Sequence, residues 1–189
     1  MKGKAIIVCA PSGAGKTSIV KHLLAELPQL SFSISACSRP RRENETDGKD
    51  YYFMTADEFK SRINAGDFVE WEEVYPGSYY GTLKSELERI WNQGRILIFD
   101  VDVKGGISLK TWFGSNALAV YIKPPSIEAL ESRLRNRGTE TEETLRKRLE
   151  RAEFELGFAN NFDIAVINES LEQAGKDSVD AVKQFLDQR

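Results

Sequence analysis

Histidine occurs once in the 189 residues, and cysteine and methionine twice each. The single histidine, His22, falls on the polar side of a helical stripe made by Ile19, Leu23 and Leu27. It therefore reads as a surface residue and not as a catalytic base. Cys9 sits in an apolar run and Cys37 lies near an arginine-rich loop, without zinc-site spacing or a disulfide framework. A reducing compartment, the cytoplasm, is the default for such a chain. Long apolar runs are missing as well. None approaches the length that spans a bilayer, and the run Ala5–Ala10 near the N-terminus is too short for a signal-peptide layout. Positive charge is in short supply: 26 Lys and Arg face 29 Asp and Glu, a net charge of −3. A long nucleic acid normally meets a basic domain, so neither that partner nor a membrane is expected. Repeats and low-complexity segments are absent too. What remains, at 41% apolar and 29% charged residues, is a globular chain long enough for one core and a small inserted lobe.

Short apolar runs bounded by turn residues lie at Ala5–Ala10, Ile96–Val101, Ala117–Ile122 and Ile164–Ile167. Helical patterns cover Thr17–Leu27, Ser126–Arg137, Glu142–Ala159 and Leu171–Gln188, the last opened by Ser170 with Gln173 in capping-box spacing. This alternation predicts an α/β fold, a parallel sheet flanked by helices. The stretch 31–82 differs. Phe32–Cys37, Tyr51–Met54 and Phe68–Val74 read as strands, Thr55 and Glu58 cap a helix ending near Gly66, and Pro76-Gly77 is a turn. A strand-rich lobe at 31–82 is thus expected inside a core of 1–30, 83–125 and 160–189. The two charged helices around the Gly138-Thr139 break suggest a mobile helical lid at about 126–159.

The strongest motif is Ala10-Pro11-Ser12-Gly13-Ala14-Gly15-Lys16-Thr17, followed by Ser18. It follows an apolar strand and opens a helix, the context of a phosphate-binding P-loop. Glycines let the backbone curl so that several N–H groups face one anion, and the helix adds its positive end. Lys16 can reach β- and γ-phosphates, and the Thr17 hydroxyl can ligate Mg²⁺. Ala10 stands where such loops usually have their first glycine, a departure that costs little if its φ is negative. A glycine-rich turn without a ligand is the bland alternative, disfavoured by the correct spacing of Gly13, Gly15, Lys16 and Thr17.

A P-loop alone does not choose between an ATPase, a GTPase and a small-molecule kinase. Ser38-Arg39-Pro40-Arg41-Arg42 offers arginine forks that match phosphate oxygens, although a solvated basic loop fits the composition as well. Further on come Asp47-Gly48-Lys49-Asp50-Tyr51, Phe68-Val69-Glu70-Trp71 and Tyr79-Tyr80-Gly81-Thr82. Asp100-Val101-Asp102, Pro124-Pro125-Ser126, the stretch Arg137–Glu143 and Asn168 complete the series. In this order, over nearly the whole chain, these motifs resemble the guanylate kinase family.

The resemblance implies a P-loop NTPase-type fold with a GMP-binding lobe and a lid. It also implies transfer of the γ-phosphate of ATP to GMP, and to dGMP, with Mg²⁺, in purine nucleotide metabolism and GMP recycling. Residues Ala10 to Ser18, Arg137 and Asn168 would bind ATP, with Asn168 on the adenine. Arg39, Arg42, Tyr51 and Tyr80 would hold the GMP phosphate. Ser35, Glu70, Thr82 and Asp102 would read the guanine. Lys16, Arg39, Arg42, Arg137 and Arg148 would form the catalytic set, the last two closing over the phosphates. From the residues alone, the favoured reading of Arg137 and Arg148 is two helical arginines paired with Glu142, Glu143 or Glu150 on a solvated face. Asp100 resembles a metal-holding strand-end acid, though it could also cap the next turn. Lys104 stands where the family often has glutamine and inherits no role. The rivals are a non-catalytic scaffold domain, a kinase with another small acceptor and a nucleic-acid module. Lys16, the carboxylates Glu70 and Asp102, and the net charge respectively weigh against them.

Overall fold

The computed structural model describes residues 3–136 and 141–188. The chain begins with β1 (Ala5–Cys9), α1 (Lys16–Glu26), β2 (Leu30–Phe32), β3 (Ala36–Cys37) and β4 (Tyr52–Phe53). It continues with α2 (Ala56–Asn64), β5 (Phe68–Tyr75), β6 (Ser78–Leu83), α3 (Lys84–Trp91) and β7 (Ile96–Val101). It ends with α4 (Val103–Phe113), β8 (Ala117–Lys123), α5 (Ile127–Asn136), α6 (Glu142–Leu156), β9 (Ile164–Ile167) and α7 (Leu171–Asp187).

β1 is apolar at every position because both its faces are covered, as in parallel sheets generally. It sits at the centre of a five-stranded sheet in the order β2-β7-β1-β8-β9, with every pairing parallel. Ile6 and Val8 point into a cluster with Ile19, Leu23 and Val182 from α1 and α7. Ala5, Ile7 and Cys9 point into the opposite cluster with Leu87, Leu109 and Phe113 from α3 and α4. This is the expected α/β architecture. Burial pushes the Cys9 thiol well above its usual range, so it packs and does not react.

A second sheet of four strands, β4-β3-β6-β5, carries its own small core of Phe59, Phe68 and Tyr79. Thr55 caps α2 through the Glu58 N–H as anticipated, and Gly66 ends it at φ +73°. The run Phe32–Cys37 is not one strand. Ser31 and Phe32 pair with β7 in the large sheet, and Ala36 and Cys37 pair with β6 in the small one. Between them the Ile34 N–H donates to Glu86 Oε1 at 2.8 Å. Two helices, α3 and α4, were not among the expected elements. α3 starts without a side-chain cap, and α4 contains Gly105-Gly106, which lowers helix propensity. Gly106 earns its place by packing: a Cβ there would lie 2.1 Å from Cys9 Sγ. His22 also departs from expectation. It is half-buried, with its ring filling the space beside Gly175 of α7. Among the described residues, no helix is long and apolar enough to cross a membrane.

Candidate active site

The loop Ala10–Gly15 leaves the C-terminal end of β1 and turns into α1 through Gly13 and Gly15, both at φ +94°. That left-handed conformation suits glycine alone among common residues. No described non-glycine residue has a positive φ, so Ala10 costs nothing. α1 has no side-chain cap and no acid in its first turn, which leaves its N–H groups for an anion. Lys16 Nζ pairs with Asp100 Oδ1 at 2.7 Å and donates to the Val101 carbonyl at 2.7 Å. The Thr17 hydroxyl donates to Asp100 Oδ2 at 3.2 Å. Ala14 turns inward and is fully buried. Asn168, expected on adenine, is turned onto this loop. Its Nδ2 donates to the Ala14 carbonyl at 2.7 Å and only 4% of the residue is exposed. It edges a shallow pocket shared with Gly13, Ser18, Asn136 and Leu171.

The loop opens onto a cleft of about 840 Å³ that also reaches Ser35, Tyr51, Asp102 and Arg148. Adjoining it is a cavity of about 240 Å³ lined by Glu70, Glu72, Tyr80 and Asp102. Lys16, Ser35, Tyr51, Asp100, Asp102 and Arg151 line both, so the phosphate loop and the carboxylate cavity form one continuous site.

Arg39 lies over the Tyr51 ring at 4.9 Å and its Nε donates to the Tyr80 hydroxyl at 3.1 Å. Glu45 occupies the guanidinium fork, accepting from Nη1 at 2.6 Å and from Nη2 at 2.5 Å. The Arg39 fork, with the Arg42 N–H, holds the Glu45 carboxyl down at about 2. Arg42 itself is exposed, with its side chain outside both cavities. Burial pushes the Tyr51 hydroxyl up, which keeps it a donor.

Thr82 is fully buried and donates to Glu70 Oε1 at 2.7 Å, so its hydroxyl serves Glu70 and is not itself presented to the cavity. Burial raises Glu70 to about 7, opposed by the Thr82 hydrogen bond and helped by the nearby charges of Asp102 and Glu72. Asp102 caps α4, its Oδ1 accepting from the Gly105 N–H at 2.8 Å. Lys104, left without a role by its sequence, pairs with Glu72 at 2.6 Å and joins α4 to β5.

A family model described as "Guanylate kinase" matches residues 2–188. The chain belongs to the guanylate kinase family. It is 48% identical to the guanylate kinase of Porphyromonas gingivalis over 97% of this chain and 98% of that one. Against the guanylate kinase of Thermotoga maritima it is 47% identical, over 92% and 83%. A crystal structure of guanylate kinase from Anaplasma phagocytophilum superposes with a TM-score of 0.76 at 26% identity, covering 96% of this chain and 85% of that one.

Within this guanylate kinase fold, the structure brings together Lys16, Thr17, Asp100, Ser35, Tyr51, Glu70, Tyr80 and Asp102, with Arg148 also lining the cleft. Arg137 lies outside the described residues. Glu142 pairs with Arg135, Glu143 with Lys147 and Glu150 with Arg146. Sequence reasoning missed Glu45 and Arg151. An acid within an arginine-rich loop was a signal for the first. The three-residue step from Arg148, which shares a helix face, was a signal for the second.

Proposed function

We propose that this chain is an ATP:GMP phosphotransferase that makes ADP and GDP, the activity of its family, and that dGMP serves as a second acceptor. The carrying observation is the continuity of the P-loop cleft with a cavity lined by Glu70 and Asp102, whose other two carboxylates, Asp100 and Glu72, pair with Lys16 and Lys104. Guanine presents N–H donors at N1 and at its two-position amine, and carboxylates only accept. Adenine would put a lone pair at N1 against a carboxylate and leave a desolvated charge unpaired. Ser35, also in both cavities, can donate to the base.

Residues 31–82 then form the acceptor lobe, about 126–159 the lid, and 1–30, 83–125 and 160–189 the core. Arg39, Tyr51 and Tyr80 hold the GMP phosphate, joined by Arg42 when its exposed side chain swings in. The triphosphate lies on the N–H groups of the loop, with Lys16 moving from Asp100 onto the β- and γ-oxygens. The adenine lies at the shallow pocket edged by Asn168. Phosphoryl transfer spreads charge over the moving oxygens, so positioned cations do most of the work and no histidine base is needed. Arg148 and, by resemblance, Arg137 close over the phosphates and keep water from intercepting the phosphoryl group.

The Thr17 hydroxyl and the Asp100 carboxylate lie side by side at the cleft, and such hard oxygens suit Mg²⁺, which usually takes one or two protein oxygens beside phosphates and water. Bound there with the nucleotide, Mg²⁺ would neutralise charge on the β- and γ-phosphates.

Coupled ADP release over a panel of nucleoside monophosphates tests the assignment. Turnover with GMP and little with AMP, CMP or UMP is expected. AMP used as well as GMP would overturn it.

A further inference from the structure

We propose that Arg151 ties occupancy of the base cavity to the position of helix α6, and so acts as a positioning residue for the reaction; this rests on the GMP reading above. α6 turns Arg148, Arg151 and Glu155 toward the cleft at positions three and four apart, one helix face. Of these three, Arg151 alone also lines the carboxylate cavity. Its Nη2 stands 3.6 Å from Asp102 Oδ2, and its Nε donates to Glu155 Oε1 at 2.7 Å. Glu155 is itself fixed: its residue is 7% exposed and its carbonyl accepts from the buried Tyr121 hydroxyl at 2.9 Å. The arginine is thus aimed from the helix backbone to the cavity wall.

Asp102 divides its two oxygens. Oδ1 is committed to the first turn of α4, Oδ2 faces Arg151, and the residue lines the cavity where guanine donors would arrive. The other nearby lysines are engaged with different acids, Lys16 with Asp100 and Lys104 with Glu72. Arg151 is therefore the cation that α6 supplies to Asp102.

At 3.6 Å, with side chains 43% and 30% exposed, the pair stabilises little while water fills the cavity. A bound base expels that water and lowers the local dielectric, which strengthens the same attraction several-fold. The pair thereby favours the closed position of α6 more when GMP is bound than when it is not, the condition for a ligand to shift a conformational equilibrium. Arg148, one turn earlier on the same face, is carried to the phosphates by that shift.

A double-mutant cycle of Arg151→Ala and Asp102→Asn, with Arg151→Lys as the conservative variant, tests this. In Arg151→Ala, kcat/KM for GMP should fall about tenfold, a coupling common for side chains in contact, with KM for ATP unchanged within about twofold. Arg151→Lys should recover most of the loss. In the Asp102→Asn background, removing Arg151 should change kcat/KM for GMP by less than about twofold. Amide exchange on peptides of 142–156 provides a readout without turnover: saturating GMP should protect them in the wild type and not in Arg151→Ala. Normal GMP kinetics in Arg151→Ala, an equal loss in both Asp102 backgrounds, or undiminished protection would overturn the coupling and leave the GMP reading intact. A wild type that does not phosphorylate GMP would overturn both.

Discussion

Glu70 holds a charge where charge is expensive. Its carboxyl titrates at about 7 instead of 4.5, chiefly through burial. Between about pH 4.5 and 7 the folded protein keeps a proton that the unfolded chain has released. Stability therefore falls as pH rises through that window and stays lower above it. Glu70→Gln should stabilise the fold at pH 8 by about 1–3 kcal/mol, from the size of the shift, and thermal melts at pH 5 and 8 would check it. The same variant should lose at least about a hundredfold in kcat/KM for GMP, since a site built to accept rejects a partner it cannot pair. Wild-type kcat/KM for GMP should also drop on the acid side of pH 7. In Glu70→Gln that limb should vanish, leaving only the titration of the substrate phosphate near about 6. Lys16→Ala should cost about a hundredfold or more in kcat while the melting temperature barely moves, because the side chain ends in a polar cleft. Activity within twofold of wild type would remove the P-loop from the mechanism. These residues were legible because each sits in a contiguous motif. Arg151 meets Asp102 across 49 positions of chain, and Glu45 meets Arg39 through a fold of the loop, so tertiary placement decides both.

At the scale of elements, the joint between the two sheets converges on one carboxylate. Glu86, in the first turn of α3, is 1% exposed and accepts from the Ile34 N–H, the Tyr52 hydroxyl and two nitrogens of Arg89. Ile34 lies on the chain's path into the small sheet, Tyr52 within that sheet, and Glu86 just beyond the path out. Glu86→Ala leaves several donors without a partner and should cost about 2–4 kcal/mol in chemical denaturation. If the joint sets how the small sheet faces the P-loop, KM for GMP should rise more than KM for ATP. Equal effects on both would reduce Glu86 to a stabilising residue. This joint was hidden in the sequence for a physical reason. The alternation in Phe32–Cys37 is that of one strand, and nothing local marks the point where it leaves one sheet for the other. α4 was hidden by a glycine pair that normally signals a break and here permits close packing on Cys9.

For the whole molecule, the parallel sheet was readable because its strands are short, apolar and punctuated by helices. The groups proposed to hold the acceptor are spread over separate segments of the small sheet and its loops, at Arg39, Tyr51, Glu70 and Tyr80. A single ligand that touches all of them draws them together. Saturating GMP without ATP should therefore reduce the radius of gyration in solution scattering and slow amide exchange in 31–82. An unchanged profile in both measurements would mean a rigid, preformed pocket.

The Arg39 fork, proposed above to hold the GMP phosphate, does not stand empty; Glu45 already fills it. Arrival of GMP at that arginine is then an ion exchange, one anion leaving as another enters, and the local charge changes less than if a bare guanidinium were covered. Screening by salt acts on net charge–charge attraction, so the affinity for GMP should vary only weakly between low and physiological ionic strength. Glu45→Gln turns the exchange into a simple neutralisation. Calorimetric titrations should find it binding GMP more tightly than wild type in low salt and losing that advantage steeply as salt is added. Parallel salt dependences in the two proteins would show that Glu45 steps aside at no cost.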